Sequence, residues 1–199
     1  IIDRGTNLLQ IRPTTRCNLS CPFCSTDAGP SSLTRQVNYE VSNDYMLEWL
    51  AEIVRFKGKV HAFIDSVGEP FMHAGIVDLI QGIADMKNVM SIAIETNGTL
   101  LNEKLIDELV EAGLQRINLT INTFDARLAK ELAGCEWYNI NRIIEIAKYI
   151  AESKLELILT PVWLPGVNDS DIPKLIEFSK QIKNRRWPQI GIQKYEIHK

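Results

Sequence analysis

Apolar and polar positions along the chain follow two different periods, and the switches between them mark out the elements. Six short runs are apolar throughout or alternate in the manner of a strand: "LLQIR" (8–12), "VHAFIDS" (60–66), "MSIAIET" (90–96), "RINLTIN" (116–122), "LELILTP" (155–161) and "IGIQKYEI" (190–197). The stretches between them repeat their apolar residues at helical spacing over 42–56, 75–87, 102–112, 125–133 with 139–152, and 170–183. Ser42, Asn102 and Ser170 precede three of these as N-caps, because a short polar side chain can accept from the free amides of a first turn. Gly113 follows "DELVEA" as a helix stop, where positive φ is usually wanted. Strands alternating with helices predict an α/β fold with a parallel sheet, since joining parallel strands needs a crossover that helices supply. In such sheets ligands gather beyond the carboxyl ends of the strands.

Composition narrows the picture. With 45% hydrophobic and 24% charged residues, 199 residues suffice for one domain spanning 1–199, and no low-complexity linker divides it. The net charge of −3 gives no overall reason to bind nucleic acid or an anionic membrane. No stretch approaches the roughly 18 consecutive apolar residues of a membrane span, and "IIDRGTNLLQ" lacks the pattern of a secretory signal. A soluble, cytoplasmic protein that makes no membrane contact is the expectation.

Chemistry concentrates at "TRCNLSCPFC" (15–24), which follows the first predicted strand and holds three of the four cysteines as C-x3-C-x2-C. Three thiols in one short loop are poorly arranged for stapling distant segments by disulfides. They suit metal or cluster ligation, and three thiolates can hold three irons of a cubane, leaving one iron for a chelating small molecule. A zinc site would need a fourth ligand at short spacing, and no cysteine or histidine lies within thirty residues after Cys24. His61 sits mid-strand and reads as a satisfied core or sheet-face residue; His73 lies just past "GEP", near enough to enter the site, and reads as a residue behind the site or on the surface.

This cysteine spacing is the hallmark of the radical S-adenosylmethionine superfamily, which the chain resembles from about Ile11 to Tyr195. The resemblance rests on Phe23 before the last cysteine, "GEP" (68–70), "ETNG" (95–98), "NLTIN" on the fourth strand and "LPGVND" (164–169), each at the carboxyl end of a predicted strand. It implies a partial (β/α)6 TIM-type barrel, a [4Fe-4S] cluster on Cys17, Cys21 and Cys24, and bound S-adenosylmethionine. It further implies that Gly68, Glu69 and Pro70 hold the methionyl ammonium, and that Glu95 or Thr96, with Asn97, meets the ribose or methionyl end. Thr120 and Asn122 are the matching polar positions of the fourth strand, Asn122 standing where many relatives carry aspartate. Trp163 and Leu164 fall beside the adenine, or else fill the barrel mouth. Cys135, in "ELAGCEWYNI", is either a buried small hydrophobe or a catalytic thiol facing the site.

The family's usual chemistry is reductive cleavage of S-adenosylmethionine to a 5′-deoxyadenosyl radical, fed by a one-electron donor such as flavodoxin or ferredoxin. In detail the chain is most similar to an archaeal group that commonly carries an additional C-terminal RNA-binding TRAM domain, which would lie outside this sequence. That likeness points to a tRNA nucleoside as substrate and to carbon methylation or a related alteration. "KNRRW" (183–187) offers Lys183, Arg185, Arg186 and Trp187 for phosphate and base, or is a solvated helix terminus. A peptide- or protein-modifying enzyme, including an activator of glycyl radical enzymes, and a non-catalytic metal-binding module are the alternatives.

Overall fold

A computed structural model of the chain describes residues 1–35, 37–65 and 67–195. Six strands form one sheet in chain order: β1 (Ile2–Asp3), β2 (Leu8–Ile11), β3 (Val60–Ile64), β4 (Val89–Thr96), β5 (Arg116–Leu119) and β6 (Glu156–Leu159). β1 pairs antiparallel with β2, and every later pair is parallel. The crossovers are α1 (Asn43–Lys57), α2 (Ile76–Ala84), α3 (Glu103–Glu111), and α4 (Ala126–Ala133) with α5 (Ile140–Glu152). β7 (Val162–Trp163), α6 (Ile172–Ser179) and β8 (Gln193–Lys194) complete the chain, β7 pairing in parallel with β8. The result is the incomplete α/β barrel with a parallel-dominated sheet that the pattern and the resemblance led one to expect.

Register separates the two faces of the sheet. Ile11, Ile64, Ile94, Ile117 and Leu157 align across five strands and are fully buried with the apolar faces of the helices. Each such large aliphatic residue contributes about 2–5 kcal/mol against truncation to alanine. One residue earlier, Gln10, Phe63, Ala93, Arg116 and Glu156 align on the opposite face. That face is largely polar and only partly buried, so the barrel interior is a lined space and not a second oily core.

The expected boundaries change in particular ways. Asn102 caps α3, its side chain accepting from Leu105 N at 2.9 Å, whereas Ser42 stands at the N-cap of α1 without a side-chain bond. Ser170 does not cap α6; Asp171 does the positional work, with Pro173 in the first turn. Gly113 ends α3 at φ +93°, and Leu114 N closes back on Leu109 O at 3.0 Å. The strand expected over 155–161 breaks because Pro161 has no N–H to donate to the ladder, leaving β6 and β7 on either side. The strand expected over 190–197 follows that break: Ile190 bridges Leu159, Gln193 N donates to Pro161 O at 2.8 Å, and among its described residues only Gln193–Lys194 is regular. Ser66, Glu196 and Ile197, the last residues of two expected strands, lie outside the described residues. No helix among the described residues is long and apolar enough to cross a membrane.

Candidate active site

A cavity of about 460 Å³ opens at the carboxyl ends of β2–β5, and Cys17, Cys21 and Cys24 form one side of it. The loop that carries them is pinned by backbone contacts too close for a side chain. A Cβ on Gly68 would sit 2.0 Å from Arg16 O, one on Gly29 1.8 Å from Leu19 O, and one on Gly134 2.0 Å from Ser20 O. Hydrogen bonds accompany two of these approaches, from Glu69 N to Arg16 O at 2.7 Å and from Ser20 N to Ala133 O at 3.0 Å. Tight turns complete the loop, with Cys24 N donating to Cys21 O at 3.0 Å and Thr26 Oγ1 to Val67 O at 2.8 Å.

Burial pushes the thiol of Cys17 up to about 11 and that of Cys21 up to about 12, and the neighbouring cysteines add to both shifts. The sulfurs are thus close enough to feel one another's charge, and a bound cation would favour the thiolates of Cys17 and Cys21. All four cysteines are free. Among the described residues no three His, Cys, Asp or Glu side chains converge on a position for a single metal ion. Three soft thiols on one short loop suit a multi-iron cluster held corner by corner.

Beside the cysteine loop lies Glu69, 2% exposed and close enough to help raise the Cys17 thiol. Its Oε1 accepts from Thr96 Oγ1 at 2.7 Å and Phe71 N at 3.2 Å, and its Oε2 accepts from Asn97 N at 2.8 Å. Burial raises its pKa to about 7, the three donors oppose the rise, and no cation is among the groups that set it. A buried acid with fixed donors and no positive partner is built to take a cationic ligand group. Pro70 stands behind it as the first residue of the 3₁₀ turn Pro70–Met72, buried and outside the cavity wall.

Phe23, Gly68, Glu69, Glu95, Thr96, Asn97, Thr120 and Asn122, all singled out from the sequence, share that wall with the three cysteines. Trp163, Leu164 and Cys135 are not brought to it. The indole of Trp163 is turned outward, donating to Asp169 Oδ1 at 2.6 Å. Leu164 is buried in a turn closed by Asn168 Oδ1, which accepts from Leu164 N at 2.8 Å. Cys135 lies under the cysteine loop, its Sγ donating to Asn18 O at 3.8 Å. Asn122 uses its Oδ1 to accept from Val162 N at 2.8 Å, so its side chain fastens β7. His61 pairs with Ser91 Oγ at 2.7 Å, and His73 is buried against Val41 O at 2.9 Å.

"KNRRW" lies at the other end of the barrel. Arg185 N and Arg186 N donate to Glu156 Oε1 at 3.2 and 3.1 Å, and Trp187 covers the Arg116 guanidinium at 4.1 Å. Glu156 and Arg116 open β6 and β5, at the end away from the cavity.

Several residues of the site carry no motif. Arg12 and Asp65 form a bidentate pair at 3.2 and 3.3 Å in the cavity wall, and Gln193 Nε2 donates to Glu95 at 2.9 Å. Their only sequence signal is a polar residue on the inner phase of a strand end. Asn18 bonds Asn97 and Thr99, and nothing in a single sequence marks it beyond its place after Cys17.

The chain is 43% identical over 189 residues to an uncharacterized protein of Methanocaldococcus jannaschii, covering 93% of this chain and 44% of that one. It is 27% identical over 183 residues to the GTP 3′,8-cyclase of Chlorobaculum tepidum, covering 89% and 51%. The chain thus spans about half the length of the curated relatives it matches. The crystal structure of Streptococcus suis SuiB bound to S-adenosylmethionine superposes with a TM-score of 0.72 at 22% identity, over 95% of this chain and 39% of that one, a likeness of fold. The family model of the Radical SAM superfamily matches residues 11–179. With the thiols, the Glu69 turn and the strands β3–β7 inside that span, the chain belongs to the radical SAM superfamily, whose members bind a [4Fe-4S] cluster and S-adenosylmethionine.

Proposed function

We propose that this chain is the catalytic core of a radical SAM enzyme that cleaves S-adenosylmethionine reductively and abstracts hydrogen from a bound substrate. The observation that carries this is one cavity lined both by three soft thiols and by a buried carboxylate on which no cation acts. Cys17, Cys21 and Cys24 hold the cluster, and Glu69 takes the methionyl ammonium. When bound, the cluster and cofactor supply a one-electron cleavage of a carbon–sulfur bond that yields methionine and the 5′-deoxyadenosyl radical. The chain's own part is to hold the ammonium, fix the reacting ends and keep water away. Gly68 lets the backbone close on the cysteine loop, and Thr96 and Asn97 hold Glu69 in place. Cytoplasmic reducing conditions and an electron from flavodoxin or ferredoxin fit such a site.

Two substrate readings have separate support. A free guanine nucleotide is favoured by the relatives named GTP 3′,8-cyclase. Alteration of a tRNA nucleoside, methylation included, rests on the likeness to proteins with a TRAM domain, and that accessory domain would then lie outside residues 1–199. The far placement of "KNRRW" removes one local support for RNA at the cavity mouth. The test is anaerobic reconstitution of the full chain with iron and sulfide, followed by dithionite and S-adenosylmethionine. Release of 5′-deoxyadenosine is expected, and Cys17→Ala, Cys21→Ala and Cys24→Ala abolish it. Stimulation by GTP or by bulk tRNA separates the two substrates; a chain that takes up zinc and forms no 5′-deoxyadenosine overturns the proposal.

A further inference from the structure

Three side chains close a ring between the cysteine loop and the turn after β4. Asn18 Nδ2 donates to Thr99 Oγ1 at 2.8 Å, Thr99 Oγ1 donates to Asn97 Oδ1 at 2.6 Å, and Asn97 Nδ2 donates to Asn18 Oδ1 at 3.0 Å. Thr99 N also donates to Asn97 Oδ1, at 2.9 Å, which fixes which end of that amide is oxygen. The direction of the other bonds then follows, because amide nitrogens only donate and the hydroxyl proton has one acceptor left. Thr99 is 9% exposed, so the ring is largely shielded from competing water.

Its position gives it a use. Cys17 is flanked by two ties, one direct and one indirect, to Glu69. On one side Arg16 O accepts from Glu69 N at 2.7 Å. On the other, Asn18 enters the ring, whose member Asn97 donates its backbone N–H to Glu69 Oε2 at 2.8 Å. The thiol and the carboxylate are therefore held relative to each other from both neighbours of the cysteine. Electron transfer and bond cleavage both require such a fixed separation, and displacements on the order of 1 Å can cost about a hundredfold in rate.

We propose that Asn18 and Thr99 are positioning residues that fix the cluster loop against the methionyl end of the cofactor. This rests on the function proposed above and adds residues that lie outside the cavity wall. Breaking the ring leaves the thiols and Glu69 in place, so the cluster should still assemble while its grip on S-adenosylmethionine loosens.

Thr99→Val removes the hydroxyl at nearly constant shape, and Thr99→Ser keeps it. In the full chain reconstituted anaerobically, iron content, thermal midpoint, S-adenosylmethionine affinity, and the change in the reduced cluster's EPR spectrum on cofactor addition are measured together. Thr99→Val is expected to keep its iron, bind the cofactor about tenfold more weakly, as befits one or two lost hydrogen bonds, and show a heterogeneous cofactor-induced spectrum. Thr99→Ser restores both readouts. Should Thr99→Val fail to fold, Asn18→Ala carries the same expectation from the half-buried loop side. A variant that melts earlier or loses iron, yet binds the cofactor normally per cluster, reduces the ring to scaffolding and overturns the inference. Wild-type chain that holds a cluster without binding S-adenosylmethionine overturns the proposed function instead.

Discussion

Two parts of the barrel wall are fastened by different means. Around the cysteines, loops meet backbone to backbone, with Gly29, Gly68 and Gly134 each leaving no room for a Cβ against a carbonyl of residues 16–20. Beyond β6 the irregular chain is stitched by asparagine side chains that imitate backbone. Asn168, fully buried, donates to Asn122 O and Val162 O, both at 2.9 Å, and accepts from Leu164 N. Asn184 accepts from Leu157 N at 3.0 Å and donates to Leu157 O and Pro188 O. Backbone contact fixes position without a torsion to relax, which suits the side where thiols and carboxylate must keep their spacing. Side-chain clamps can hold a broken strand in place and still leave an open rim where a substrate could enter.

The largest effect should come from breaking the first kind of fastening. Gly68 has no positive φ, so its only demand is space, and Gly68→Ala must move either the "GEP" turn or Arg16. We expect a loss of more than about 3 kcal/mol in stability, together with loss of iron binding. Thermal melts and iron per chain check both. Glu69→Gln comes next, because it keeps the shape and removes the charge. S-adenosylmethionine affinity should fall about a hundredfold, the order of a lost charge-assisted bond in a buried site.

pH dependence sharpens that expectation. The folded pKa of Glu69 is raised from 4.5 to about 7, so its stabilising contribution is complete below 4.5 and lost as pH rises through 7. Cofactor-free wild type should therefore lose on the order of 3 kcal/mol between those limits, and Glu69→Gln should lack that slope. If Glu69 takes the ammonium as proposed, cofactor binding should show the opposite trend, since an ammonium prefers the ionised acid: affinity is expected to rise with pH up to about 7 and then level. Equilibrium unfolding and titration calorimetry across that range read the two slopes.

Much of this was legible in the chain, for reasons that differ between the two parts. The strands β2–β6 were visible because their helix-facing residues are mostly Ile, Leu and Val while the inner phase carries polar residues, as at Gln10, Arg116 and Glu156. The cysteine spacing, "GEP" and "ETNG" are local strings, and local strings survive reading without a structure. Asn18 and Thr99 stand eighty-one positions apart, and only the fold brings them together. Arg12 with Asp65, and Glu95 with Gln193, are hidden for the same reason. The alternation of "IGIQKYEI" was sound but incomplete information: a strand also needs a partner, and Pro161 interrupts the partner it would have had.

Asn168→Ala tests the second kind of fastening. Three hydrogen bonds to buried backbone groups disappear at once, and a loss of about 2–4 kcal/mol is expected. Iron content and the cluster spectrum should stay as in wild type, because the clamp reaches Asn122 O and β7 but none of the cysteine loop.

Trp163 gives the smallest and most discriminating effect. If its indole stacked on the adenine, Trp163→Ala would weaken S-adenosylmethionine binding by about 1–3 kcal/mol, the usual worth of a base on an aromatic face. The structure turns the ring outward, 43% exposed, and fastens it to Asp169 outside the cavity wall. The expected change is therefore confined to stability, at no more than about 1 kcal/mol for one solvent-facing hydrogen bond, with cofactor affinity unaltered. A weakened affinity in Trp163→Ala, with stability unchanged, would mean that the β7 rim swings inward when the cofactor binds. The contrast between a fixed thiol side and a clamped open rim would then become one between a fixed side and a closing one.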